Sequence, residues 1–173
     1  MFLDRDGTLI RHVHHLTNPE EVELLPRASD GIALLRSMGL KVVVCTNQSV
    51  IGRGLCDAER VEEVHRRMVE LLEGDGVEID GIVYCPHRPE EGCGCRKPAP
   101  GLGVQASRLV GVEPGQAVVI GDQRSDIEFG RSLGSTTIQI DDSGRPDDAA
   151  ADYTARHLLA AAEWIQNQIN FGS

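Results

Sequence analysis

Short apolar runs, bounded by Gly and Asp and separated from one another by amphipathic stretches, constrain this chain more than any other feature. The runs cover residues 1–3, 41–45 (KVVVC), 81–85 (GIVYC), 117–120 (AVVI) and 136–140 (TTIQI). They are too short for buried helices and rich in β-branched residues, so they predict buried strands. Between them, residues 28–38, 57–73 and 102–110 stop at Gly39, Gly74 and Gly111, as helices do. In the longest of these, Asp57 can cap the first turn. Val61, Val64, Met68, Leu71 and Leu72 share one face, opposite Glu62, Glu63, Arg66 and Arg67. Strand and helix in alternation predict an α/β fold: a doubly wound parallel sheet in a Rossmann-like three-layer αβα arrangement. Ligands are expected at the carboxyl ends of the strands, where the winding reverses.

The length of 173 residues suits a single domain spanning 1–173, and 3% aromatic content leaves the core to aliphatic side chains. Residues 141–152 (DDSGRPDDAAAD) read as a surface loop ahead of a C-terminal helix from about 154 to 169. The first strand is shorter than usual, which implies either a very short strand or residues missing upstream. No apolar run approaches the roughly 20 residues of a bilayer span, and nothing reads as a targeting signal. A cytoplasmic monomer without membrane partners is therefore expected. With 17 basic against 27 acidic residues the net charge is −10, which disfavours nucleic acid as a partner. An anionic ligand must be met by local positive groups.

Two acidic elbows follow apolar runs. In the first, DRDGT, alternation along an extended segment places Asp4 and Asp6 on one side, and Gly7 permits the turn. In the second, GDQRSD, Asp122 and Asp126 follow AVVI and reach the same end of the sheet. Carboxylates so placed repel one another unless a cation lies between them, and Mg²⁺ with its preference for oxygen ligands suits the pair of elbows. Thr46 follows KVVVC as T-N-Q-S, which also brings Asn47, Gln48 and Ser49 to a strand end, while Arg96 and Lys97 follow a cysteine cluster as C-R-K-P.

That cluster is a second metal signal. Cys85 and His87 (C-x-H) precede Cys93 and Cys95 (C-x-C), a Cys₃His set with the composition of a closed, tetrahedral, structural Zn²⁺ site in a loop over 85–95. Cys45 reads as a small core residue, and Cys56 has no evident role. His65 and His157 read as surface residues. His12, His14 and His15 could line the mouth of a pocket.

These motifs resemble the haloacid dehalogenase-like phosphatase superfamily: DRDGT corresponds to its first motif, Thr46 to its second, Lys97 to its third and GDQRSD to its fourth. FLDRDGTL, TNQSVIGRG, CPH, CGCRKP and GDQRSD together look like the heptose bisphosphate phosphatases, with the histidinol-phosphate phosphatases as close relatives. The stretch 49–54 is similar to the heptose branch, the short loop 86–92 to the histidinol branch. His12–His15 (HVHH) departs from the aspartate-led, aromatic-ended segment of the heptose enzymes.

The resemblance implies an aspartyl-phosphate mechanism with Asp4 as nucleophile and Asp6 as general acid and base. It implies Mg²⁺ held by Asp4, the Asp6 backbone carbonyl and Asp122, with Asp126 in support. Thr46, Asn47 and Lys97 would hold the phosphoryl oxygens. Gln48, Ser49, Arg53 and Arg96 would meet the rest of a small phosphorylated sugar, foremost D-glycero-D-manno-heptose 1,7-bisphosphate, and no large cap domain is expected. Histidinol phosphate, a polynucleotide 3′-phosphate and a non-enzymatic receiver-like switch are the alternatives.

Overall fold

Residues 1–141 and 151–171 are described by a computed structural model. Six strands, β1 (Phe2–Leu3), β2 (Val43–Asn47), β3 (Gly81–Cys85), β4 (Val118–Gly121), β5 (Thr136–Ile140) and β6 (Tyr153–Ala155), form one sheet in the order β3-β2-β1-β4-β5-β6. Every pairing is parallel, and the order is that of the Rossmann sheet. Five helices, α1 (Ala28–Ser37), α2 (Ala58–Gly74), α3 (Gly101–Val110), α4 (Arg124–Leu133) and α5 (Leu158–Phe171), cover its faces.

The pleat sends alternate residues to opposite cores. Leu3, Val44, Ile120 and Ile138 join Ile32 and Leu35 of α1, Val64 and Met68 of α2, and Leu158 and Ala162 of α5. Phe2, Val43, Cys45 and Val119 join Leu102 and Ala106 of α3 and Phe129 of α4. This is the expected three-layer α/β arrangement. The α1–α5 contact is close enough that a Cβ on Gly31 would lie 2.6 Å from Leu158 Cγ.

Several elements differ from the sequence reading. β2 begins and ends two residues later than the KVVVC run, because its register with β3 continues to the Asn47–Cys85 pair. The C-terminal segment does not start as a helix at 154. Tyr153–Ala155 adds a sixth strand against β5, and the helix begins only at Leu158, where His157 Nδ1 accepts the Ala160 N–H. His157 is therefore a half-buried cap and not a surface residue. Helix α4 was not legible: its few apolar residues, Ile127, Phe129 and Leu133, are interrupted by Glu128, Gly130 and Ser132. The loop expected over 141–152 falls mostly outside the described residues. Residues 4–27 and 86–100 cross the carboxyl end of the sheet as loops with one short turn each (Pro19–Glu21 and Pro89–Glu91), so among the described residues no large cap is inserted.

Candidate active site

β1 and β4 are neighbours, yet β2 and β3 run outward from one side and β5 and β6 from the other. Their carboxyl ends flank the point where the winding reverses, and each ends in an aspartate. Asp4 follows β1, with its N–H donating to Ile120 O at 2.8 Å, and Asp122 follows β4. The first turn of α4 adds Asp126, fixed by the Gln123 N–H donating to its Oδ2 at 3.0 Å. Oxygens of Asp4, Asp122 and Asp126 lie within 4.8 Å of one another. Gly7, at φ 81°, allows the elbows to meet, since a Cβ there would stand 2.3 Å from Asp122 Oδ2.

Lys97 enters from the other side of the site. Its Nζ donates to Asp4 Oδ1 at 2.7 Å and to Asp126 Oδ1 at 2.6 Å, and all three side chains are buried. Burial raises the Asp4 carboxyl well above the ordinary carboxylate range, against the opposing pull of Lys97. Asp122 is also raised by burial, in spite of the bond it accepts from Gln123. Burial would lower the Lys97 ammonium, but Asp4 and Asp126 outweigh it and hold the group above its usual value. One ammonium thus faces three carboxylates, and Asp122 Oδ1 is buried without a partner. This oxygen-only donor set with a charge deficit fits a hard divalent cation.

Asp6 lines the same cavity of about 380 Å³ but is not part of the carboxylate trio. Its carboxylate accepts from Arg5 Nε (3.1 Å) and Nη2 (3.1 Å) and from Gln48 Nε2 (3.1 Å). Gln48 Nε2 also donates to Thr46 Oγ1 at 2.9 Å. Asn47 is paired with the main chain of Lys97: Nδ2 donates to Lys97 O (3.2 Å) and Oδ1 accepts from Lys97 N (3.0 Å). Ser49 and Arg96 line the cavity, as do His12, His14 and His15 at its edge. Arg53 does not: it is exposed, with Nε 3.5 Å from Ser49 Oγ.

The cysteine cluster assembles next to this cavity. Sulfurs of Cys85, Cys93 and Cys95 are 3.2–3.5 Å apart, and His87 Nδ1 lies 3.5 Å from Cys85 and 3.3 Å from Cys95. The four donors are compatible with closure on one tetrahedral ion. The loop is tied to the end of β2, where Gln48 N donates to Cys85 O (2.7 Å) and Gly52 N to Pro86 O (2.9 Å), while Arg96 Nη1 donates to His87 O at 3.3 Å. Cys45 is a buried core residue, as read.

Sequence reasoning missed the interior of the network. Arg5 is 1% exposed, and His65, read as a surface residue, is 2% exposed with both ring nitrogens unpartnered. Burial lowers His65 to about 3, with Arg5 adding to the shift. The available signal was position: His65 follows Val64 on the apolar stripe of α2.

A Rossmann-ordered sheet carrying a carboxylate trio and a lysine at its switch point defines a haloacid dehalogenase-like hydrolase. A family model described as HAD-hydrolase-like matches residues 94–161. A D-glycero-alpha-D-manno-heptose-1,7-bisphosphate 7-phosphatase of Mycobacterium tuberculosis is 40% identical over 77% of this chain and 72% of its own. A D-glycero-beta-D-manno-heptose-1,7-bisphosphate 7-phosphatase of Yersinia pestis is 32% identical over 98% of this chain and 90% of its own. The crystal structure of D,D-heptose 1,7-bisphosphate phosphatase from B. bronchiseptica, complexed with magnesium and phosphate, superposes with a TM-score of 0.85 at 29% identity, covering 97% of this chain and 98% of that one. The chain belongs to the D-glycero-D-manno-heptose-1,7-bisphosphate 7-phosphatase family.

Proposed function

We propose that this chain is a Mg²⁺-dependent phosphomonoester hydrolase that removes the 7-phosphate of D-glycero-D-manno-heptose 1,7-bisphosphate by way of a phosphoryl group carried on Asp4. The observation that carries this reading is the meeting of Asp4, Asp122, Asp126 and Lys97 at the switch point of the sheet. The names of the relatives supply the sugar.

Asp4 is the nucleophile. A carboxylate oxygen attacks phosphorus, the bond from phosphorus to the sugar oxygen breaks, and the departing oxygen takes a proton from Asp6. In the second half Asp6 removes a proton from water, whose oxygen attacks the phosphorus, releases phosphate and restores Asp4. Lys97 and the Thr46 hydroxyl donate to the phosphoryl oxygens, where charge collects during transfer. The Asn47 amide, paired with the Lys97 main chain, fixes the lysine and leaves one N–H for the phosphoryl group.

Asp4, the Asp6 backbone carbonyl and Asp122 would hold Mg²⁺, with Asp126 in support. Bound there, the ion supplies the positive charge that lets a carboxylate approach a phosphate dianion. Cys85, His87, Cys93 and Cys95 would hold a structural Zn²⁺ with no coordination position left for water. Arg96, Ser49 and the more distant Arg53 are assigned to the sugar and its second phosphate. A cytoplasmic monomer, formed as one domain over residues 1–173, completes the reading. Among the described residues no helix is long and apolar enough to cross a membrane.

The test is phosphate release from both anomers of heptose 1,7-bisphosphate, from histidinol phosphate and from a 3′-phosphorylated oligonucleotide, with Mg²⁺ present or chelated. Fastest turnover on a heptose compound, lost on chelation and in Asp4→Asn, is the expected result. Full activity in Asp4→Asn would reject the covalent route.

A further inference from the structure

Gln48 is 4% exposed, and its side-chain amide has a single consistent orientation. A guanidinium only donates, so Oε1 must face Arg5 Nη2 (3.0 Å), which turns Nε2 toward Asp6 Oδ2 (3.1 Å). The second hydrogen on Nε2 goes to Thr46 Oγ1 at 2.9 Å. Both donors of the amide are thereby spent inside the protein. What remains is a lone pair on Oε1, an acceptor, which offers nothing to a phosphate dianion.

From this geometry we infer that Gln48 is a positioning residue, not a substrate ligand: its amide couples the Asp6 carboxylate to the Thr46 hydroxyl and aims both for phosphoryl transfer. Because Thr46 Oγ1 accepts from Gln48, its own hydrogen is left to donate into the cavity that Thr46 lines. Because Asp6 Oδ2 accepts from Gln48 while Arg5 holds Oδ1 through Nη2, the carboxylate cannot rotate without breaking the network. The main chain is fixed as well, with Gln48 N donating to Cys85 O at 2.7 Å. One amide thus links the group that protonates and deprotonates, in the elbow after β1, to a group that grips phosphoryl oxygen at the end of β2.

The inference rests on the phosphatase reading above, and its test separates the two. Gln48→Met keeps the length without hydrogen bonds. Gln48→Glu keeps the acceptor toward Arg5 and removes the amide donors toward Asp6 and Thr46, so it serves where Gln48→Met fails to fold. Steady-state kinetics on heptose 1,7-bisphosphate should show kcat reduced by about 10–100-fold with KM within about 3-fold.

A second substrate supplies a readout that a merely structural defect would not move. p-Nitrophenolate leaves without needing a proton, so with p-nitrophenyl phosphate the first half-reaction needs no acid and only the water step still depends on Asp6. Stopped flow of the variants should then give a burst of nitrophenolate close to one per active site, followed by slow turnover, and the phosphorylated protein should be detectable by intact mass. A raised KM with kcat unchanged would make Gln48 a substrate ligand and overturn the inference. Variant kinetics equal to those of the wild type, without a burst, would also overturn it. A wild-type chain inert toward every substrate, with Mg²⁺ present, would instead remove the phosphatase reading itself.

Discussion

Replacing Lys97 by Met tests the electrostatics of the site most directly, because the substitution keeps most of the side-chain volume and removes the charge with its two hydrogen bonds. The ammonium sits 2.7 Å from Asp4 and 2.6 Å from Asp126, with side-chain exposures of 3%, 9% and 2% for the lysine and the two aspartates. Removing one partner of a buried pair costs about 3–5 kcal/mol. Asp4 limits the loss, since a carboxyl already raised by burial can take up a proton in place of its cation, so the lower end, about 3 kcal/mol, is the expected value. At about 2–4 °C per kcal/mol for a chain of this size, the variant should melt about 6–12 °C below the wild type in chelator. Mg²⁺ should raise the melting temperature of the variant more than that of the wild type, because the added cation meets a larger charge deficit. Phosphate release should fall by about 10²–10³-fold, the loss typical of a donor that acts on developing charge. Thermal unfolding followed by circular dichroism, with and without Mg²⁺, reads the first two effects. A chelated variant melting within about 2 °C of the wild type would refute the claim that Lys97 neutralises the acidic elbows.

Gly7→Ala forces a Cβ to within 2.3 Å of Asp122 Oδ2 at a φ of 81°, so Mg²⁺ should be needed at about tenfold higher concentration for half-maximal activity, measured by metal titration; an unchanged midpoint would show that the elbows do not depend on this contact. Metal analysis of the purified chain should give one zinc per molecule, falling to none in Cys95→Ser, with melting lowered by several degrees; full stability without zinc would leave the cluster without a structural role. His65, lowered by burial to about 3, stays neutral in the fold while the unfolded chain binds a proton below about 6.5, so stability must drop as pH falls through the window between these values. Between pH 6.5 and 5 this contributes a loss of about 1.5 kcal/mol that His65→Leu should lack, a difference that urea unfolding at the two pH values would detect.

The parts of the site legible in the sequence are those in which chemistry and position are written in the same few residues. Asp4 follows its apolar run directly and Asp122 follows one after a single glycine, so the strand that carries the residue also announces where it ends, and a parallel sheet puts all such ends on one edge. The Cys₃His set was legible for a similar reason, with all four donors inside eleven consecutive positions, 85–95. His65, Arg5 and Gln48 were not legible, because their meaning lies in what they meet across the fold. A histidine on α2 looks solvated until the helix is docked, and nothing in DRDGT marks its arginine until the guanidinium is found 1% exposed and bonded to Asp6 and Gln48. Helix α4 was hidden in part because Gly130, inside it, is set by close approach to β5, a Cβ there standing 2.4 Å from Thr137 Cγ2, and not by helix propensity.

These two kinds of residue divide the site into halves with different supports. Asp4 and Asp122 are placed by the register of β1 with β4, so the sheet itself holds them. Lys97 belongs to no strand or helix; it stands two positions after Cys95, and its main chain is paired on both sides with Asn47. The cysteine loop and the Asn47 clamp therefore do for the lysine what the sheet does for the aspartates. The halves meet in the bonds from Lys97 to Asp4 and Asp126, which span 93 and 29 residues of sequence. It follows that loss of the cluster should appear in kcat as well as in melting temperature, since a loosened loop displaces the ammonium from phosphoryl oxygens while leaving the aspartates in place. Zinc removal that lowered stability with kcat intact would show that Asn47 alone is enough to position Lys97.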